Sequence, residues 1–519
     1  MSEIGFWNIA KREPDKLALV DPQGKEWSRR DLHGLANQVV HGLRSLGLKK
    51  GDCVALVLQN CAEYYAINLA CAQSGIYMVP INWHLAGPEI AYILKDSEAK
   101  IFFGSSENIE LADTCIAAAS EASFNPKGLI SIGKLEGFQP FFKLIEGQSL
   151  EAPEERYPGS VMNYTSGTTG RPKGVKRGLV EGDPDEIAGL YTMLLGLFGI
   201  QPENNNVHIC ASPLYHTAPL LWSSSSLHLG HAVVLMDKFD PEKMLQMIDK
   251  YRVTTSHMVP TQFHRLLALS DEIKDKYDCS STERMVHAAA PCPPHIKNAM
   301  IEWWGNSIYE YYAATEGGGT MVSTEEWLKF PGTVGKPWMG SDIKIMGEDG
   351  QELGHDEEGI IYMLLGAAQF EYKGDKVKTE ESRWGDYFTV GDIGYLNKEG
   401  YLFLCDRQND MIISGGANIY PAEIENVFSM HPKVIDVAVF GIPNEEWGEE
   451  IKAVVQAAEK VITDNKFTSE LLTFCSKNLG KMKLPKSIDY VDELPRDPNG
   501  KLYKRRLKDP YWQDKQKKI

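Results

Sequence analysis

The first half of the chain alternates helical and strand-like patterns, and this alternation constrains the fold more than any other feature. Residues 32–46 carry apolar side chains at steps of three and four, as in an amphipathic helix, and residues 53–58 form an apolar run typical of a buried strand. A second helix is predicted at 62–74 and a second strand at 77–81. Such alternation, which recurs at 232–259, favours parallel sheets joined by crossover helices.

The pattern changes after residue 330, where turn signals become dense and short β-rich runs lie between them, as at 359–365. This change predicts a smaller antiparallel section. Past Arg407 the patterns fit a compact α+β unit, with a helix at 421–430 and a strand at 434–440.

The length of the chain indicates more than one domain. It has 519 residues, whereas single hydrophobic cores stop growing at roughly 250–300 residues. We predict a large N-terminal domain, residues 1–408, and a small C-terminal domain, residues 409–519. Neither a membrane-spanning apolar run nor a secretory signal is recognisable, so we expect no membrane span and a cytoplasmic location.

The charge of the chain argues against one class of partner. The formal net charge is −17, whereas a broad nucleic-acid surface needs an excess of Lys and Arg facing phosphates. Basic clusters at 171–177 and 501–508 are compatible with a small polyanion, although charge alone more often marks a solvated surface.

The most informative segment runs from Tyr164 to Val175 and reads YTSGTTGRPKGV. Its glycines allow close backbone approach, and its hydroxyl and backbone N–H groups can donate to phosphate oxygens. It is not a Walker loop, because Pro172 precedes the lysine and Gly174 follows it. The segment predicts a phosphate-binding loop of another kind.

The stretch from Thr165 to Gly174 matches the pattern (S/T)SGTTGxPKG. In this the chain resembles the superfamily of acyl/aryl-CoA synthetases, firefly luciferase and non-ribosomal adenylation domains. That family holds the β- and γ-phosphates of ATP in this loop. The resemblance therefore implies phosphate contacts from Thr165, Ser166, Gly167, Thr168, Thr169, Gly170 and Lys173.

Four further motifs follow in the order typical of the family, and the first is YAATE at 312–316, with Ala313 in place of the usual glycine. The resemblance implies that Glu316 holds Mg²⁺, that Thr315 contacts the α-phosphate and that Tyr312 packs against adenine. A carboxylate beside a triphosphate is a suitable ligand for Mg²⁺.

The second motif, Val390-Gly391-Asp392, resembles the family's TGD, with Val390 replacing threonine. The resemblance implies that Asp392 accepts both ribose hydroxyls. Asp406-Arg407 resembles the pair that follows in the family, and Arg407 would contact the ribose region. We place the hinge between the domains at Asn409, where the family usually has Asp or Lys.

The last two motifs lie in the C-terminal domain. Residues 412–425 resemble the segment after the hinge, so Gly415 and Gly416 would border the pantetheine tunnel once the small domain rotates. Residues 495–501 resemble P-(K/R)-x-x-x-G-K, in which Lys501 is the catalytic lysine. An ammonium group suits a reaction that joins two anions. The same residues also read as an ordinary turn, and only the ordered set of motifs favours catalysis.

The acyl pocket is harder to read. Residues 213–219 resemble the family's aromatic or histidine gate, with His216 as the candidate. The glycines at 317–319 leave room, which favours a bulky or long acyl chain. Trp222, Met258 and Phe263 either line an apolar cavity or belong to the plain core.

The resemblance implies an α/β fold: a large N-terminal domain of two αβ subdomains plus a distorted β-barrel, and a small mobile α+β domain. It implies an AMP-forming acid–CoA ligase with ATP, Mg²⁺ and coenzyme A. Acyl-AMP forms first with release of pyrophosphate, and CoA then displaces AMP. Within the family, the sequence most resembles bacterial fatty-acyl or steroid-type acid–CoA ligases of lipid metabolism. We therefore expect a hydrophobic acid, whether fatty, alicyclic or steroid-type.

Two alternatives stay open. The first is an adenylating enzyme whose acceptor is a carrier protein or another nucleophile. The second is a nucleotide-binding scaffold without catalysis, against which the intact Lys501, Glu316 and Asp392 argue. A homodimer is compatible with the sequence.

Overall fold

The computed structural model describes most of the chain. The described residues are 4–165, 172–202, 205–314, 317–347, 349–364, 371–372, 379–380, 382–407, 410–414, 417–496 and 502–512.

The helices are, in chain order, α1 Phe6–Arg12, α2 Arg29–Ser45, α3 Ala62–Ser74, α4 Gly87–Asp96, α5 Ile109–Glu121, α6 Phe141–Ile145, α7 Pro184–Leu197, α8 Thr217–His228, α9 Pro241–Tyr251, α10 Pro260–Leu267, α11 Asp271–Lys276, α12 Pro294–Trp304, α13 Thr324–Lys329, α14 Pro421–Ser429, α15 Asn465–Cys475 and α16 Lys504–Trp512.

The strands are β1 Leu17–Val20, β2 Glu26–Ser28, β3 Cys53–Val57, β4 Tyr77–Pro80, β5 Ala99–Ser105, β6 Leu129–Ile132, β7 Gln139–Pro140, β8 Ser160–Val161, β9 Asn163–Thr165, β10 Lys173–Lys176, β11 Val207–Cys210, β12 Ala232–Leu235, β13 Thr255–Met258, β14 Arg284–His287, β15 Ile308–Ala314, β16 Gly317–Val322, β17 Thr333–Pro337, β18 Ile343–Met346, β19 Gly359–Leu364, β20 Glu371–Tyr372, β21 Arg383–Trp384, β22 Tyr387–Phe388, β23 Asp392–Leu396, β24 Leu402–Arg407, β25 Ile412–Ser414, β26 Ala417–Ile419, β27 Val434–Asn444, β28 Gly448–Ala457 and β29 Ser487–Val491.

Contacts divide the chain into two units. The first consists of Met1–Met258, Leu269–Val286 and Ala367–Glu381. The second consists of Val259–Ala268, His287–Gly366 and Ser382–Ile519.

Parallel strands dominate the first unit. One sheet has the order β7-β6-β5-β3-β4-β8, and all of its neighbours are parallel. In another sheet β12 lies parallel between β1 and β11, β13 extends it on the far side of β11, and β2 joins β1 in the antiparallel direction. The predicted parallel arrangement is confirmed, because the apolar runs are strands and the periodic segments between them are helices.

Alternate residues of β3 enter different cores, as the two-residue period of a strand requires. Val54 and Leu56 pack into a core shared with α2, α3, β1 and β12, whereas Ala55 and Val57 face a second core shared with α4 and α5. A strand buried on both faces must be apolar throughout, which explains the unbroken apolar run.

Helix α3 is buried on nearly every side. Two of its buried polar side chains find partners in the first unit: Tyr64 Oη donates to the carbonyl oxygen of Leu214 at 3.2 Å, and Asn68 Nδ2 donates to Ser224 Oγ at 2.9 Å. The helix ends at Gly75, whose φ of +71° is in the left-handed region that glycine adopts without strain.

The second unit contains the antiparallel section. The strands β15, β16, β17, β24, β23, β19, β22 and β21 pair in this order, each antiparallel to its neighbour, and β18 adds to β19. The sequence-based prediction of an antiparallel section is therefore confirmed. The closure of these strands into a distorted barrel stays a prediction.

The C-terminal part of the second unit is α+β, as predicted. The strand order is β26-β25-β28-β27, with β29 parallel to β28. Residues of α14 and α15 cover this sheet with a shared apolar core that includes Ile424, Phe428 and Leu471. The predicted boundary between residues 408 and 409 falls on residues outside the described ones and stays a prediction.

None of the helices described here has both the length and the apolar character that a membrane crossing would require.

Four histidines of the first unit are buried. Burial lowers the pKa of each imidazole from 6.5, to about 3 for His208 and His257 and to about 4 for His228 and His231. The cause is that a charged imidazolium loses its hydration in the interior. These side chains are therefore neutral in the folded protein at neutral pH.

We expect the free energy of unfolding to fall as the pH drops from 6.5 to about 4. Over this range the unfolded chain binds protons that the folded chain does not, which costs about 1.4 kcal/mol per histidine and pH unit. Chemical denaturation at a series of pH values measures this slope. His257→Asn should reduce the slope, whereas His355→Asn, at an exposed position, should leave it unchanged. A free energy that stays constant over the range would contradict the expectation.

Candidate active site

The structure describes part of the predicted site. Lys173, His216, Tyr312, Asp392 and Arg407 are described, as is the backbone of Thr165. The predicted site residues that lie outside the described ones are Ser166, Gly167, Thr168, Thr169, Gly170, Thr315, Glu316, Gly415, Gly416 and Lys501.

The two ends of the predicted phosphate loop lie side by side. β9 and β10 are antiparallel, with Lys173 opposite Thr165 and Gly174 opposite Tyr164. On its other edge β10 pairs with β20. The chain therefore enters and leaves residues 166–171 at neighbouring positions on one small sheet.

Tyr164 anchors this small sheet to α4. Its Oη donates to Oδ2 of Asp96 at 2.5 Å, and burial together with this carboxylate raises the pKa of the phenol far above its usual range. A Cβ atom at Gly174 would lie 3.0 Å from Cζ of Tyr164, closer than ordinary packing allows. The motif's last glycine thus permits close packing of the tyrosine ring on β10.

Three side chains from three separate motifs meet in the second unit. Tyr312 is on β15, Asp392 begins β23 and Arg407 ends β24. Tyr312 Oη donates to Asp392 Oδ2 at 2.6 Å, and Arg407 Nε lies 3.4 Å from Asp392 Oδ1. We call these three residues the nucleotide triad, because the sequence predicts a nucleotide contact for each.

The backbone fixes the triad in two ways. Asp392 and Arg407 are direct partners in the register of β23 and β24. Gly391, just before the aspartate, has a φ of +81°, and its N–H donates to Thr389 Oγ1 at 3.0 Å. The glycine of the Val-Gly-Asp motif is thus required for a left-handed turn that leads into β23.

The chemistry of the triad fits a nucleotide. The side chain of Asp392 is 14% exposed and that of Arg407 is 58% exposed, so both can be reached from solvent. A carboxylate accepts hydrogen bonds from adjacent hydroxyls, and a guanidinium donates to anionic or hydroxyl oxygens. No cluster of three potential metal ligands occurs among the described residues, and the predicted Mg²⁺ ligand, Glu316, is outside them.

His216 belongs to a row of four rings in the first unit. Trp83 stacks on His84 with ring centroids 3.5 Å apart. The rings of His84 and Tyr215 meet in a T-shaped arrangement with centroids 6.3 Å apart, and the centroids of Tyr215 and His216 are 4.3 Å apart. His216 itself immediately precedes α8 and is half-buried. The sequence indicated the histidine, but not the row, because Trp83 and His84 come from the loop after β4.

The room that the glycines after Glu316 were expected to leave is filled by apolar side chains. A Cβ at Gly319 would overlap the ring of Trp338, and a Cβ at Gly318 would lie 2.8 Å from Cβ of Met363. The glycines therefore allow close packing of β16 against these side chains. The proposed preference for a bulky acid has to rest on other observations.

A buried ion pair next to Tyr312 was missed by the sequence analysis. Glu310 precedes Tyr312 by two residues on β15, and its Oε2 lies 2.6 Å from Nζ of Lys297 on α12. The ammonium group also lies 4.9 Å from the ring of Trp327. No local pattern distinguishes Lys297 from a surface lysine, so only the structure reveals that α12 and β15 are tied together beside the triad.

Comparisons with known proteins point to one family. A family model described as AMP-binding enzyme matches residues 6–366, and one described as AMP-binding enzyme C-terminal domain matches residues 423–501. These two matches cover both the large and the small part of the chain.

Two curated relatives match almost the whole chain. A fatty acid–acyl-carrier-protein ligase of Streptomyces coeruleorubidus is 30% identical over 98% of this chain and 96% of its own length. A long-chain-fatty-acid–CoA ligase of Mycobacterium tuberculosis is 30% identical over 98% of this chain and 99% of its own length.

Solved structures share the fold. The o-succinylbenzoate-CoA synthetase from Bacillus subtilis in complex with an acyl-adenylate superposes with a TM-score of 0.81, at 26% identity over 98% of each chain. ATP-bound MatB from Rhodopseudomonas palustris gives 0.81 at 28% identity, over 98% of this chain and 99% of its own.

These findings confirm the predicted family resemblance and the α/β fold class with a large and a small domain. They also confirm an AMP-forming acid–CoA ligase that uses ATP, Mg²⁺ and coenzyme A, whereas the individual site residues stay predictions. The chain belongs to the family of AMP-binding enzymes.

Proposed function

We propose that this enzyme activates a hydrophobic carboxylic acid as its acyl-adenylate and then transfers the acyl group to coenzyme A. The observation that carries the proposal is the nucleotide triad, in which Tyr312, Asp392 and Arg407 converge from three motifs. A surface turn would not need the carboxylate of Asp392 to be held on one side by a phenol and on the other by a guanidinium.

The triad orients the nucleoside in this proposal. Asp392 accepts hydrogen bonds from the two ribose hydroxyls, and Arg407 donates to the ribose region. Tyr312 packs against adenine while its hydroxyl holds Asp392 in place. A substrate held in one orientation reacts faster, because the translational and rotational entropy needed to reach the reactive geometry is already lost on binding.

The loop between β9 and β10 binds the β- and γ-phosphates in this proposal. Its hydroxyl residues, its backbone N–H groups and Lys173 supply the donors. Thr315 contacts the α-phosphate. When bound at Glu316, Mg²⁺ would neutralise charge on the phosphate oxygens.

The first step joins two anions. A carboxylate oxygen attacks the α-phosphorus, the bond to the bridging oxygen breaks, and pyrophosphate leaves with the bonding electron pair. Lys501 contacts both reacting groups and stabilises the charge that develops in the transition state. In the second step the thiol sulfur of CoA attacks the acyl carbon and its proton passes to solvent, the bond from this carbon to the phosphate oxygen breaks, and AMP leaves with the bonding electron pair.

The second step uses other residues. We assign Gly415 and Gly416 to the path of the pantetheine arm and His216 to the gate between the acyl site and the thiol. The gate assignment is supported by the ring row, since Tyr215 and its neighbours hold His216 from one side. A rotation of the small domain about Asn409 would move Lys501 out of the active site and let the CoA thiol reach the acyl carbon.

The acid is proposed to be fatty, alicyclic or steroid-type. Both curated relatives described above act on fatty acids by name. Other relatives act on 2-succinylbenzoate and, as a feruloyl-CoA synthase, on an aromatic substrate. All of these carry an apolar chain or ring.

A second acceptor has a specific observation in its favour. The relative from Streptomyces coeruleorubidus is named for transfer to an acyl carrier protein, and it is as similar to this chain as the CoA ligase is. A carrier-protein thiol is therefore the alternative acceptor.

The proposal also includes a cytoplasmic location, the domain boundary at 408/409 and a homodimer.

An acid panel tests the reaction and the pocket together. With ATP, Mg²⁺ and CoA, we expect AMP and pyrophosphate as products, and kcat/KM should rise about fourfold for each added CH₂ that is buried. Acetate, hexanoate, octanoate and a steroid acid would be compared, with CoA or a phosphopantetheinylated carrier protein as acceptor. ADP as the product would contradict the ligase chemistry. A higher kcat/KM for acetate than for the other acids would contradict the hydrophobic pocket.

Tyr312→Phe tests the triad. The variant keeps the ring but loses the 2.6 Å hydrogen bond to Asp392, and a hydrogen bond to a charged group contributes roughly 1.5–3 kcal/mol. We expect the Kd for ATP, measured by calorimetry, to rise at least about tenfold. Tyr511→Phe is the matched control, because its hydroxyl also donates to an aspartate, Asp489, at 2.8 Å. If both variants weakened ATP binding equally, the hydroxyl of Tyr312 would have no special role in nucleotide binding.

Lys501→Ala tests the division of labour between the half-reactions. Acyl-AMP formation should slow about 10²–10³-fold, as for the loss of one donor at a developing charge. Thioester formation from synthetic acyl-AMP and CoA should continue at close to the normal rate, because no two anions meet in that step. Rapid-quench assays of each half-reaction measure both rates. An equal loss of both would mean that Lys501 is structural.

A further inference from the structure

The chain on either side of residues 497–501 is held together. Arg496 and Leu502 form an antiparallel bridge, and the N–H of Tyr503 donates to the carbonyl oxygen of Pro495 at 2.8 Å. The segment that carries Lys501 therefore starts and ends at adjacent points of the backbone.

An ion pair anchors the first of these points. Arg496 Nε lies 2.5 Å from Asp436 Oδ2, and its Nη2 lies 2.8 Å from Asp436 Oδ1. Asp436 is on β27, the long strand in the C-terminal sheet. A two-point contact between guanidinium and carboxylate fixes direction as well as distance.

A partly buried charge cluster anchors the second point. Lys504, the first residue of α16, places Nζ at 2.8 Å from Oε1 of Glu425 on α14. The same carboxylate oxygen accepts the N–H of Val439 on β27 at 2.7 Å. Burial acts to lower the pKa of Lys504, but the carboxylates of Glu425, Asp406 and Asp410 outweigh it and raise the pKa. The ammonium group therefore stays charged.

Asp406 connects this cluster to the nucleotide triad. Its Oδ2 accepts the N–H of Ala422, at the start of α14, at 3.0 Å, and the next residue along β24 is Arg407 of the triad. The cluster of Asp406, Glu425 and Lys504 thus joins two parts of the predicted site. Asp406 directly precedes Arg407, and Lys504 is three residues after Lys501.

We propose that Lys504 is a positioning residue for acyl-AMP formation. Held by Glu425 and attracted by Asp406, it fixes the end of the Lys501 segment relative to β24, which carries Arg407. The inference rests on the role proposed above for Lys501. The four-carbon side chain of Lys501 can reach its target reproducibly only if its backbone is held, and a shift of about 1 Å can cost about 10²-fold in rate.

A purely stabilising role would not require this ion pair. Apolar side chains of similar volume often replace a buried ion pair without loss of stability. In some proteins a buried charged contact selects one arrangement among several, and in this proposal the selected arrangement places the catalytic lysine.

The test compares two ion-paired lysines of the C-terminal part, Lys504, which is partly buried, and Lys452, which is buried. In Lys504→Met we expect acyl-AMP formation to slow about 10–100-fold, with thioester formation from synthetic acyl-AMP changed less than about threefold. Lys452→Met is the matched control: Lys452 is 7% exposed against 14% for Lys504, and it pairs with Asp489 at 2.9 Å on the opposite side of β28 from β27. The control should leave both half-reactions unchanged. Lys504→Arg, which keeps the charge, should recover most of the adenylation rate.

A double-mutant cycle separates positioning from general damage. If Lys504 acts through Lys501, then adding Lys504→Met to Lys501→Ala should slow adenylation less than about twofold further. Hydrogen exchange provides a readout independent of turnover. The amides of residue 497 and residues 499–503 should exchange faster in Lys504→Met and at the normal rate in Lys452→Met.

Three results would overturn the inference while leaving the role of Lys501 intact. They are an equal slowing of both half-reactions in Lys504→Met, the same selective slowing in Lys452→Met, and a full additional loss in the Lys501→Ala background. A normal adenylation rate in Lys501→Ala would overturn both the role of Lys501 and the positioning role of Lys504.

Discussion

The burial of α3 is the constraint on which the first unit depends. The helix packs into a core that takes strands from both parallel sheets, so each sheet must present an apolar face to it. Its polar side chains have to find partners inside, as Tyr64 and Asn68 do. Once α3 is packed between the two sheets, the ends of their strands have defined positions. The loops that follow these strands, including the loops that carry Trp83 and Tyr215, are then positioned as well.

Charged side chains inside the protein position the site as much as apolar packing does. Asp96 holds the tyrosine next to the phosphate loop, Lys297 holds β15 beside Tyr312, and Glu425 holds the start of α16. Breaking the Lys297–Glu310 pair is costly because it leaves an uncompensated buried charge. These contacts therefore favour one arrangement of the strands and helices that carry the predicted site motifs.

Glycines of the motifs serve packing and turns as well as ligand access. Gly174 makes space for a tyrosine ring, Gly319 makes space for Trp338, and Gly391 adopts a left-handed turn before Asp392. From the sequence, the glycines after Glu316 indicated an open pocket. The structure shows why that reasoning fails: the absence of a side chain at one position is compensated by a large side chain from a distant one.

The sequence by itself determined the parallel and antiparallel sections and the family, and it predicted the motif residues of the site, because periodicity and motif spacing are local properties of the chain. Only the tertiary structure decided that Tyr312, Asp392 and Arg407 form one group, and that Lys297 and Lys504 are ion-pair partners of glutamates. These contacts join residues far apart in the chain. A lysine in an ordinary helix has the same local pattern whether it faces water or a buried carboxylate, so its partner is settled only when the chain has folded.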